Sequence, residues 1–102
     1  MMAGETSDDP AARTSEARRI RRLVKQVAEP EGFPLFQLSF DEDSTGTPAV
    51  WISFLLNDEY PTTKESIQTL TRLGQRVKSS LFEHHISRVP YIRFRERRRT
   101  AG

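Results

Sequence analysis

Cysteine is absent from the 102-residue chain, which excludes disulfides and any thiolate metal site. Long apolar runs are absent too. The most apolar segment, Ala49 to Leu56, is interrupted by Ser53 and falls far short of the roughly 20 residues that span a bilayer. The first residues, Met-Met-Ala-Gly-Glu-Thr-Ser-Asp-Asp-Pro, are acidic where a secretory leader carries a basic flank and an apolar core. These absences lead to the expectation of a soluble cytoplasmic protein with no membrane partner. Histidine is scarce. His84 and His85 are adjacent, so on a helix they point about 100° apart and cannot clamp a metal as an i, i+4 pair does. Near a helix C-terminus, the dipole favouring imidazolium is enough to explain them.

Catalytic signatures are missing as well. There is no Walker loop, Gly-x-Ser-x-Gly elbow or dinucleotide fingerprint, and nothing calls for a cofactor. The segment Asp41-Glu42-Asp43-Ser44-Thr45-Gly46 opens like a calcium loop, but Ile52 stands at position twelve, where a bidentate glutamate closes the shell. Its flanks alternate like strands, so a solvated hairpin turn is expected there. A non-catalytic role follows.

What is present is charge, and it is segregated. Residues 1–12 carry three acids and no base, and residues 13–25 carry six bases and one acid. Residues 26–66 carry eight acids and only Lys64; residues 67–102 carry nine bases and two acids. The net charge of +2 conceals these blocks, which either neutralise one another in the fold or build a local field.

Apolar spacing marks the elements. Residues 1–13, with Pro10 and no apolar period, read as a disordered acidic tail. Ser15 is a candidate N-cap for a helix through Ala28. Ile20, Leu23, Val24 and Val27 form its apolar stripe, and Arg18, Arg19, Arg21, Arg22 and Lys25 cover the remainder. Pro30 ends it. Phe36, Leu38 and Phe40 alternate with Gln37 and Ser39 in a half-buried strand, and Val50 to Leu56 alternate in a second, its hairpin partner. Thr62 and Glu65 are spaced as a capping box before a helix whose stripe is Ile67, Leu70, Leu73, Val77 and Leu81. Gly74 lies mid-helix, at a cost of about 1 kcal/mol relative to alanine, and predicts a kink or break. Val89 to Arg95 is a third strand, with Pro90 suiting an edge. Residues 97–102 read as a flexible basic tail. The expected fold is one α+β domain over residues 14–96, ordered α-β-β-α-β, with both helices on one face of a three-stranded sheet. The opposite face then carries Leu35, Trp51, Leu55 and Tyr91 among Gln37, Ser53, Arg93 and Arg95.

With those elements placed, the stretch from Ala49 to Glu96 resembles the ribosome-binding factor A family, bacterial ribosome-assembly proteins with a type-II K-homology (KH-like) fold. The matching pieces are Val50-Trp51-Ile52-Ser53-Phe54-Leu55, the acidic loop Asn57-Asp58-Glu59 and Arg88-Val89-Pro90-Tyr91-Ile92-Arg93-Phe94. Gly74 stands at the glycine of the family's Ala-x-Gly kink, while Arg72 stands where that motif has alanine. The segment joining the first helix to the first strand is shorter than the family's. The resemblance covers about half the chain and implies an RNA-binding role in ribosome assembly.

Two functions are compatible with this reading. In the first, Arg18, Arg22, Arg72, Arg76, Lys78, Arg88, Arg93 and Arg95 form a surface for structured RNA, since guanidinium groups bind phosphate oxygens in pairs. In the second, Leu35, Trp51, Leu55 and Tyr91 dock a protein partner or a second copy of the chain. The bland alternative for the cations is a set of solvated helix faces paired with the acidic middle.

Overall fold

The computed structural model describes residues 15–57 and 59–96; the two terminal segments read as tails lie outside them. Helix α1 (Ser15–Ala28) buries Ala17, Ile20, Leu23, Val24 and Ala28. Its end is closed by a bond from Phe33 N–H to the Ala28 carbonyl at 2.9 Å. Gly32 makes that turn at φ +95°, a region where only glycine is unstrained. The turn seats Phe33 in the core, its ring 5.9 Å from that of Tyr60.

Strands β1 (Phe36–Glu42) and β2 (Pro48–Leu56) form the expected antiparallel hairpin, with Phe36 opposite Phe54 and Phe40 opposite Val50. The Asp41–Gly46 segment is a hairpin turn, not a calcium loop. Gly46 N–H bonds to the Asp43 carbonyl, and the Asp43 carboxylate collects Thr45 N–H, the Thr45 hydroxyl and Thr47 N–H. Among the described residues no group of acids and histidines is arranged to hold a metal.

Helix α2 (Lys64–Glu83) crosses from β2 to β3 (Val89–Glu96), which pairs parallel to β2, as a helical crossover allows. The sheet order is β1-β2-β3, so β2 is central. Its even positions, Val50, Ile52, Phe54 and Leu56, join Ile20, Leu23, Val24, Leu73, Val77 and Leu81 in one core. Both helices therefore cover one face of the sheet. No helix of the described residues is long and apolar enough to cross a membrane.

Three details of α2 depart from the sequence reading. Its N-cap is Thr63, not Thr62. The Thr63 hydroxyl accepts from Ser66 N–H at 3.2 Å and donates to Ser66 Oγ at 3.0 Å, so Glu65 serves the first turn through its charge alone. Ile67, placed on the buried stripe by spacing, is 54% exposed; at 100° per residue it lies about 80° round from Val77. The helix also runs through Gly74 as one element rather than breaking there. Gly74 is buried against Ile92 of β3, and a Cβ at this position would sit 3.6 Å from Ile92 Cγ2, an ordinary contact. Packing on both sides of the glycine keeps the helix continuous despite its propensity.

The C-terminal end of α2 is a Schellman turn. His85 N–H bonds to the Phe82 carbonyl and Ile86 N–H to the Leu81 carbonyl, with His85 at φ +59°. From α1, the Arg19 guanidinium donates to the His84 carbonyl at 2.7 Å. The expectation that the histidines sit at a helix end is met, and their backbone has a structural task.

Candidate nucleic-acid interface

The cations the sequence marked out divide into three groups. Arg18 and Arg22 on α1, together with Arg72 and Lys78 on α2, are exposed on the helical layer. None has a side-chain partner among the described residues. Arg21 and Lys25 extend the α1 set to a stripe at i, i+3, i+4 and i+7, about 10 Å long at the helical rise. Lys25 only grazes Glu29, at 3.9 Å. Arg76 also lies on this layer but pairs with Glu31, an exposed contact worth about 0–1 kcal/mol and therefore readily exchanged for a ligand.

Arg88 does not belong to any surface. It is 9% exposed, with its guanidinium 5.4 Å from the Phe40 ring centroid. It donates to the Ala49 carbonyl at 2.7 Å, reaches Asp41 O at 3.4 Å and lies 3.6 Å from Glu16. Its place just before β3 brings it to the end of the sheet, where it ties α1 to two strands. Removing a buried cation of this kind leaves carbonyls and a carboxylate without their donor. The expected phosphate contact at Arg88 is corrected to a structural one.

Arg93 and Arg95 also leave the expected group. Ile92 and Phe94 pack into the core, so their alternating neighbours emerge on the opposite side of the sheet from the helices. The basic segments do not share one face. They form a helical-layer surface and a smaller pair on the open sheet face.

That open face is ordered by register. Ser39, Trp51 and Tyr91 form one cross-strand row; Gln37, Ser53 and Arg93 form the next; Leu55 and Arg95 follow, with the Leu35 carbonyl accepting from Leu55 N–H. Trp51 and Tyr91 stack with ring centroids 5.3 Å apart and planes 19° from parallel, within the range of favourable offset stacking. The Tyr91 hydroxyl donates to Asp43 Oδ2 at 2.9 Å, which fixes the platform to the hairpin turn. Those four bonds hold the Asp43 carboxyl down at about 2, the Thr45 hydroxyl contributing most, and its acceptance from Tyr91 raises the phenol above its ordinary value.

The four apolar residues proposed for a partner do not form one patch. Leu35 (45% exposed) and Leu55 lie at one end, and the Trp51–Tyr91 pair lies four residues away along β2, about 13 Å in a strand. The polar row of Gln37, Ser53 and Arg93 separates them. Sequence alternation agrees with the register for Trp51, Leu55, Tyr91, Arg93 and Arg95. It could not reveal the Asp43–Tyr91 bond, which joins residues 48 apart in sequence. The other exposed apolar residues, Ile67 and Phe82 (83% exposed), lie fifteen residues apart on α2. Neither the family models, nor the characterised proteins, nor the solved structures compared with this chain give a match.

Proposed function

We propose that this is a non-catalytic, cytoplasmic RNA-binding module of the ribosome-assembly type, which grips structured RNA through phosphates along its helical layer. The observation that carries the reading is the α1 stripe of Arg18, Arg21, Arg22 and Lys25, exposed along a helix whose other face is wholly committed to the core. Arg72 and Lys78 add separate exposed cations on the neighbouring helix, and Arg76 can join by exchanging Glu31 for a phosphate. Structured RNA is recognised mainly by phosphate, 2′-hydroxyl and shape, so a stripe of donors without a sequence-reading motif suits it.

The test is binding of a short RNA hairpin by fluorescence anisotropy across a salt series. Each neutralised phosphate contributes roughly 0.7–0.9 to the slope of log affinity against log salt. Charge reversal at Arg18, Arg22 and Arg72 should therefore weaken binding and make the slope shallower by about 2. Hairpin binding that is absent at low salt, or that keeps its slope in the triple variant, would overturn the reading.

A further inference from the structure

The open face of the sheet carries a second arrangement that the helical surface does not use. Tryptophan and tyrosine rings lie stacked on adjacent parallel strands of this face, Tyr91 exposed and Trp51 half-buried. The tyrosine is pinned through its hydroxyl to Asp43, so the platform keeps its geometry without a ligand. Arg93 and Arg95 follow Tyr91 on the same face at two-residue steps, each about 6.6 Å along the strand. Among the described residues neither guanidinium has a hydrogen-bond or ion-pair partner. Gln37, Ser39 and Ser53 line the floor between them, offering donors and acceptors. The acids at the far end are Asp41, whose carboxylate accepts from Glu42 N–H, and Asp43, which is occupied by the turn and Tyr91.

From this juxtaposition we infer that the open sheet face is a binding site for unpaired nucleotides, distinct from the helical surface. One base stacks on the Trp51–Tyr91 platform while the strand's phosphates run past Arg93 and Arg95. Aromatic faces accept any base, and the charge that complements an unpaired strand lies on one side of the platform only. A polar row divides the apolar residues of this face, which suits a ligand of alternating rings and charges better than a wholly apolar partner surface. The inference rests on the RNA-binding reading but uses different residues, so the two fail separately.

Trp51 is the only tryptophan in the chain, so its fluorescence reports the site directly. Titration with a short unpaired oligoribonucleotide should quench Trp51, whereas a fully paired hairpin should bind without quenching it. Trp51→Ala, followed by anisotropy of the labelled oligonucleotide, should weaken binding at least about tenfold, and Trp51→Phe should restore most of it. Arg93→Gln with Arg95→Gln should weaken it most at low salt and make its salt slope shallower by about 1.4. The deoxyribose form of the same strand shares the stacking and the phosphates, and comparing the two identifies whether RNA or DNA is preferred. In the Arg18, Arg22 and Arg72 charge-reversal variant, hairpin binding should fall while quenching by the unpaired strand persists. Quenching without any hairpin binding in the wild type would sink the helical-surface reading and leave this one standing. An unpaired strand that binds without quenching Trp51, or that is lost together with the hairpin in the helical variant, would overturn the inference. So would an absence of quenching at low salt with a Trp51-dependent dimer in sedimentation, which would make the face a protein interface.

Discussion

Asp43 joins the hairpin turn to the aromatic platform, so the two titrations it takes part in have opposite senses. Its folded carboxyl lies at about 2, below the ordinary 3.8, so the bonds it accepts stabilise the fold above the ordinary value and are lost as pH falls through about 2. Tyr91 is raised above its ordinary 10.0, so its contribution is complete below that value and is lost as pH climbs through the higher folded one. Both are in place from about pH 4 to 10. Ultraviolet titration of Tyr91 in a Tyr60→Phe background should give a phenol above its usual value, and Asp43→Asn should bring it down. A phenol unmoved by that substitution would show that the carboxylate does not govern the platform. At this scale the sequence was legible where one residue's neighbours in the chain determine its position, as with Trp51 and Tyr91. It was not legible where the partner is distant. Nothing around Arg88 distinguishes it from Arg93, yet one is buried under α1 and the other faces solvent, because only the packed fold brings Glu16, Phe40 and the Ala49 carbonyl to a single point.

Among the elements, α2 separates local propensity from tertiary context most clearly. Gly74 argues locally for a break, and the chain folds through it because Leu73, Gly74 and Val77 are all buried in the continuous helix. The position has room for a methyl group at ordinary contact distance from Ile92 and a helical backbone. Gly74→Ala should therefore raise stability by about 0.5–1 kcal/mol through propensity and the reduced entropy of the unfolded chain, seen as a higher urea midpoint at unchanged m-value. A loss of stability would mean that the added methyl group disturbs the packing against Ile92 despite the 3.6 Å separation. The strands and α1 were readable with limits only a few residues from those observed, since alternation and the i, i+3, i+4 stripe register burial directly. The start of α2 was displaced by one residue because Thr62 and Thr63 are both competent caps, and the choice between them is made by the Ser66 hydroxyl.

Across the whole molecule, β2 is the strand on which everything else depends. It pairs on both edges, and its inner face supplies the centre of the core. Phe54 is fully buried there, with the rings of Phe36 and Phe94 at 6.0 and 5.8 Å on either side. Truncation to alanine removes contacts to both neighbouring strands at once, and Phe54→Ala should cost about 3–5 kcal/mol. Against a total of roughly 5–10 kcal/mol for a domain of this size, that is enough for thermal denaturation to show a sharply lower midpoint. A cost below about 1 kcal/mol would indicate a core able to collapse around the gap. The order of strands also bears on how the chain is made. During synthesis the β1–β2 hairpin is complete well before β3 exists, and β2 then shows an unpaired edge of apolar residues until the last strand has cleared the exit tunnel and docked. An edge of that kind is a template for the wrong partner. The interval between translating Leu56 and Glu96 is therefore when this chain most needs protection, and slow codons or a truncating stop within α2 should favour aggregation far more than the same lesion before β1.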